Sequence, residues 1–169
     1  VVSSPNITEL TSVVLEVERH VADSGWDQPS QVYALADTAD LLAREPALAP
    51  HIGDSPPGSL TPVEQEPLPV GRLDEVLAGI GWPPEVLGCV LVTELVVLPP
   101  SAEEEAPYSD DEIEYWAANH PERQDVRLAV GVTRSGLHAS CLRVRGDDEL
   151  VVDPDLADNL IDGLLATFQ

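Results

Sequence analysis

The sequence predicts a single α+β domain over 1–169, a largely antiparallel β-sheet with helices packed mainly on one face. Three observations carry that reading. A chain of 169 residues with 43% apolar composition can bury roughly 70% of the surface its unfolded form exposes in one core. Helical and extended segments alternate at irregular spacing, and two strands near the C-terminal end read as a local hairpin; both features argue against a doubly wound parallel sheet. Aromatic residues make up only 4% of the chain, so the core must be built from Val, Leu, Ala and Ile.

The elements follow in order. Asn6 and Glu9 read as a capping box opening a helix over about 7 to 24. Ile7, Leu10, Val13, Val14, Val17 and Val21 recur on one face, and Gly25 ends it. "QVYALAD" (31–37) has strand character, and Thr38 can cap a short helix, "ADLLAREPALA". The Pro/Gly/Ser segment near 50–60 is expected to be a flexible loop. "TPVEQEPL" is extended, with prolines suited to an edge strand. A short helix over 72–81 turns Leu73, Val76, Leu77 and Ile80 inward, with Gly81 at its stop. "VLGCVLVTELVVL" (86–98) is apolar on both faces for much of its length, as a central strand would be. A second flexible loop is expected over 99–108. Ser109 and Glu112 then form another capping box, opening a helix to about 119 that turns Ile113, Trp116 and Ala117 inward. After the hairpin, Asp153-Pro154 is expected to open the last helix, with Leu156, Leu160, Leu164 and Phe168 as its buried stripe.

Charge limits the function classes. Thirty-one acidic residues against 8 basic ones give a formal charge of −23, which repels both nucleic acid and acidic membrane surfaces. Every basic residue is Arg, which removes Lys-based amine chemistry and fits a GC-rich genome. Cys89 and Cys141 have no zinc-ligand spacing and read as buried, reduced thiols of a cytoplasmic protein. The start, "VVSSPNITEL", lacks the charged and apolar regions of a signal peptide, and no apolar run is long enough to span a membrane.

The basic residues are unevenly placed: Arg123, Arg127, Arg134, Arg143 and Arg145 fall within 123–145. If "RSG" (134–136) is a three-residue loop with Gly136 left-handed, Thr133 pairs with Leu137. Val126, Leu128, Val130 and Val132 then face Val144, Leu142, Ser140 and His138 on a core-facing side. The opposite side carries Arg127 across from Arg143, beside a strip formed by Ala129/Cys141 and Gly131/Ala139, with Arg145 opposite Asp125. Like charges directly opposed on a sheet call for an anion between them. The protein's own carboxylates can supply it, Glu94 on the central strand first, then Glu64 and Glu66. An external anionic ligand seated over the small-residue strip is the other reading.

Other motifs carry less. His20, His51, His120 and His138 form no metal-binding spacing. His20 is expected to pair with Glu16 four residues earlier, and His120 sits at a helix C-terminus. Trp26 and Trp82 each follow a glycine that ends a helix and are expected to dock the chain onto the core. No catalytic residue, metal site or cofactor is indicated.

The stretches "GWDQP", "TPVEQEPLP", "GWPPEVLGCVLV", "LPPSAE" and "HPERQDVRLAVGV" together resemble a family of small conserved hypothetical proteins from actinobacteria, nearly end to end. That family has no assigned activity, cofactor or catalytic residues, and the resemblance implies a bacterial cytoplasmic protein. In size, acidity and helix–sheet order the chain is also loosely similar to secretion-chaperone-type α+β folds.

The resulting expectation is a non-enzymatic protein-interaction domain, adaptor or chaperone-like, whose partner and oligomeric state stay open. The alternatives are a binder of, or an enzyme acting on, a small anionic ligand at Arg127 and Arg143, and an acidic mimic of DNA.

Overall fold

A computed structural model of the chain describes residues 6–52, 59–69, 73–97, 112, 116, 119, 121, 123–146, 150–153 and 156–168. The first helix, α1, spans Ile7–Ala22. Asn6 Oδ1 accepts from Glu9 N–H at 2.9 Å, which is half of the expected capping box. The other half is diverted, because Glu9 Oε1 accepts from Leu60 N–H at 2.9 Å and ties α1 to a strand instead of closing on its own cap.

Strand β1 (Gln31–Asp37) runs directly into α2 (Thr38–Arg44). The cap is Asp37, whose Oδ1 accepts from Asp40 N–H at 3.0 Å. Thr38, expected in that role, is buried and hydrogen-bonds the Thr61 hydroxyl at 2.8 Å. The single helix expected over 39–49 is broken at Pro46, which lacks the N–H needed to continue it. A 3₁₀ turn (Pro46–Leu48) and a short α3 (Ala49–Ile52) follow. Then come β2 (Leu60–Glu64), α4 (Leu73–Ala78), β3 (Val86–Val97), β4 (Gln124–Thr133), β5 (His138–Val144), β6 (Leu150–Val152) and α5 (Asp158–Ala166). Of the two expected flexible loops, residues 53–58 and 99–108 lie outside the described residues. Within the helix expected from Ser109, Glu112 and Trp116 are helical, and Ser109, Ile113, Ala117 and His120 lie outside them.

The strands form one antiparallel sheet in the order β2-β1-β3-β4-β5-β6. The hairpin register follows from the loop, as the alternation of apolar residues requires. Gly136 has φ 100°, Thr133 N–H donates to Leu137 O at 2.9 Å, and Arg127 pairs with Arg143. Strand β6 was not expected, being three residues long and too short to show a period. It also delays the last helix. Asp153 N–H donates to Ser140 O at 3.1 Å and Leu156 N–H to Ser140 Oγ at 3.4 Å, so both residues are tied to the sheet and α5 begins only at Asp158.

Helices cover both faces of the sheet, where packing mainly on one was expected. Helix α1 packs on Tyr33, Leu35, Val90, Val92, Ala129, Ala139 and Cys141. Helices α4 and α5 bring Leu77, Ile161 and Leu164 onto Val32, Cys89, Leu91, Leu128, Val130 and Val132. The physical reason lies in β3 and β4: both are apolar on alternate and intervening positions, so each face needs a cover. Trp82 docks as expected, stacking on Phe168 with ring centroids 6.1 Å apart and donating from Nε1 to Thr167 Oγ1 at 3.0 Å.

Candidate functional site: an arginine network beneath the first helix

Strand pleating puts Arg127 and Arg143 side by side on the face that α1 covers. Arg127 is 1% exposed, so its charge must be met within the protein. Two acids meet it: Glu94, which the sequence reading named, and Glu18, which it missed. Glu18 of α1 is fully buried, and its carboxylate accepts from Arg143 Nε at 2.7 Å and Nη2 at 2.9 Å in a bidentate fork. The same carboxylate lies 3.8 Å from Arg127 Nη1.

Glu94 faces Arg127 across the β3–β4 ladder, with Oε2 at 3.7 Å from Arg127 Nη2. Its closer bonds are to the backbone: Asp27 N–H donates to Oε1 at 2.8 Å and Gln28 N–H to Oε2 at 3.0 Å. Those bonds hold the turn after α1, where Asp27 adopts φ 66°. Arg127 Nη2 donates to Gly25 O in the same turn, and its guanidinium lies 4.4 Å from the centre of the Trp26 ring. Trp26 thus docks the chain on the arginines, where docking on the apolar core was expected. Arg145 bonds Asp27 at 3.1 and 3.2 Å, sits 3.6 Å from Asp125, and its guanidinium lies 5.5 Å from the centre of the Trp26 ring.

The remaining candidates fall elsewhere. Glu64 lies on β2, away from β4, and lines a cleft of about 290 Å³ with Glu16, Val17, His20, Tyr33 and Pro62. Glu66 is exposed beyond the end of β2. His20 meets the Tyr33 ring edge-on at 6.4 Å. The small-residue strip read as a floor for a ligand is filled by α1: a Cβ at Gly131 would overlap Val14 Cγ2 and stand 3.2 Å from Leu10 Cδ1. The small residues let the helix approach, which is their role.

Glu18 did leave a signal in the sequence. It follows Val14 by four residues and precedes Val21 by three, which puts a charge inside the apolar stripe of an amphipathic helix. Nothing local says which cations it meets, because Arg143 lies 125 residues away.

The cysteines are buried one in each core and are free. Burial pushes the thiols of both Cys89 and Cys141 up to about 12 from an ordinary value near 9. Between those values the unfolded chain loses protons that the folded chain keeps, so folding stability falls as pH rises through that window. The expected slope is about 1.4 kcal/mol per pH unit for each thiol. Urea midpoints under reducing conditions at stepped pH measure it, and Cys141→Ala should halve the slope. A flat profile above pH 9 would show the thiols to be solvated.

Among the described residues, no three His, Cys, Asp or Glu side chains group as a metal site, and no helix is long and apolar enough to cross a membrane. A family model described as PPA1309-like protein matches residues 10–169. The chain belongs to that family. No curated protein and no solved structure matches it. The family match spans every residue of the network, from Glu18 to Arg145, so the network lies within the family's domain.

Proposed function

We propose that this PPA1309-like protein is a non-enzymatic protein-interaction domain, an adaptor or chaperone-like module that engages a basic partner in the bacterial cytoplasm. The observation that carries this reading is the state of the arginine hairpin. Arg127, Arg143 and Arg145 are met by Glu18, Glu94, Asp27 and Asp125, so three of the five arginines clustered at 123–145 are matched by the protein's own acids. What remains for a partner is the excess of carboxylates behind the charge of −23, and such a surface attracts basic proteins at long range. Arg-only composition and reduced buried cysteines support an actinobacterial, cytoplasmic origin.

The test is retention of partners from a native actinobacterial lysate on the immobilised protein. The expected result is a reproducible basic protein held at low ionic strength and released by salt, since screening weakens exposed charge contacts. Finding no reproducible partner at low salt overturns the reading.

One observation favours the second reading, a small anionic ligand at Arg127 and Arg143: Arg127 Nε is buried without a hydrogen-bond partner. That reading requires a ligand to displace Glu18 or Glu94 from the guanidiniums. A panel of anionic metabolites that raises the melting temperature, with Arg143→Gln abolishing the effect in a folded protein, would establish it over the first.

A further inference from the structure

The two edges of the sheet are built differently. On β2, Thr38 N–H donates to Ser59 O at 3.0 Å. Bonding alternates along an antiparallel ladder, so Leu60, Pro62 and Glu64 direct their backbone groups outward. That edge is blunted at each place. Leu60 N–H is taken by Glu9 at 2.9 Å, Pro62 has no N–H, and Glu64 puts an exposed charge on the rim.

Among the described residues, the outward positions of strand β6 carry none of these devices. Asp153 N–H donates to Ser140 O, so Val151, opposite Leu142, is the next residue back to bond β5. Leu150 and Val152 therefore direct their N–H and C=O groups away from the sheet. Among the described residues no strand lies beyond β6. Val151 and Val152 are 52% and 51% exposed, the two most exposed large apolar side chains described. They stand on opposite faces, Val151 beside Leu142 and Val152 beside Cys141.

We propose that the β6 edge receives an extended, basic segment of a partner protein as a seventh strand. Main-chain bonds to Leu150 and Val152 would supply the pairing, and alternating side chains of the added strand would meet Val151 and Val152. Charge selects the occupant. In the sequence, Leu150–Val152 is preceded by Asp147, Asp148 and Glu149 and followed by Asp153, Asp155 and Asp158. A second copy would bring the same acids against these and a further charge of −23, so self-pairing is opposed where a basic strand is attracted. This inference rests on the protein-interaction reading and names its surface.

The experiment uses the full, isotope-labelled chain and two blocked hexapeptides of alternating valine, one with Lys and Arg between the valines and one with Glu. The expected result is that the basic peptide shifts the Leu150 and Val152 amides and slows their hydrogen exchange, while the acidic peptide does neither. Val152→Pro removes an outward donor and leaves the β5 bonds of Val151 in place. It should weaken the basic peptide at least about tenfold with the melting temperature held, and Val152→Thr should bind as the unaltered chain does. Four outcomes overturn the proposal: amides of Leu150 and Val152 already protected in the free chain, shifts that map to another surface, no shift with either peptide, or dimerisation through β6. The lysate experiment separates the two readings. A basic partner retained equally by the Val152→Pro protein sinks the edge alone, whereas no partner on either protein sinks the interaction reading itself.

Discussion

Replacing Glu18 by Gln is expected to destabilise the fold by about 3–5 kcal/mol, the range for removing one partner of a buried ion pair. Neutralising Glu18 leaves Arg143 without the carboxylate that it grips at 2.7 and 2.9 Å, and leaves Arg127, which is 1% exposed, with Glu94 as its remaining acid. Neither guanidinium can give up its proton, so the charge stays and must be solvated by distorting the packing of α1 on the sheet. For a chain of this length, such a loss lowers the melting temperature by about 2–4 °C per kcal/mol. Urea unfolding reads it as a fall in midpoint with an unchanged slope. The double variant Glu18→Gln with Arg143→Gln should be far less destabilised than the sum of the singles, because it removes both charges of the fork together. Additive effects, or a loss under about 1 kcal/mol for Glu18→Gln, would mean that water reaches the network.

The second large effect is expected at Gly88, where Ala should cost about 3 kcal/mol, at the upper end of overpacking penalties. A Cβ there would overlap Val132 O and stand 3.2 Å from Thr133 Cα and 3.3 Å from Val132 C. All three are backbone atoms of β4, and the strand has no room to retreat. Arg134 N–H donates to Leu87 O at 2.7 Å, and the Arg134 side chain bonds Val86 O at 3.0 and 3.2 Å, which pins the end of β4 against β3. The β1–β3 register also shifts beside this point, between Leu35 and Ala36. Gly131→Ala is the informative comparison. Its added methyl meets the side chains of Val14 and Leu10, which can rotate or move with the helix, so the cost should be clearly smaller. Equal penalties at the two glycines would show that α1 is held as rigidly as the sheet.

Much of this architecture was readable in the sequence because its causes are local. The period-two alternation of 126–132 and a glycine at position 136 specify the hairpin register residue by residue, down to Arg127 opposite Arg143. The capping residue Asn6 and the apolar stripe that follows it define α1. Misreadings arose where two local rules competed or where a long-range contact outweighed one. Asp37 and Thr38 are both good caps, and the buried bond to Thr61 withdrew Thr38. Asp153-Pro154 reads as a helix start, yet Asp153 and Leu156 bond Ser140 on the sheet and the helix begins at Asp158.

The arginine network shows the same division. That Arg127 and Arg143 need an anion beside them follows from electrostatics on the hairpin register, and the sequence alone determined it. Which acid answers was a tertiary matter. Glu94 was the natural nominee because it neighbours Arg127 on the sheet, and it does pair with it; Glu18 joins it and grips Arg143 because α1 crosses the small-residue strip at Ala129, Gly131, Ala139 and Cys141. The sequence by itself determined most of the elements, the hairpin and the demand for a counter-charge, since each follows from periodicity, turn chemistry or like-charge repulsion over short separations. Only the tertiary structure decided that helices cover both faces, that α1 adds a second neutralising acid, and that one sheet edge is guarded while no described strand lies beyond the other. Those outcomes depend on which distant surfaces meet, and burial free energy summed over the whole core, not any local preference, selects among them.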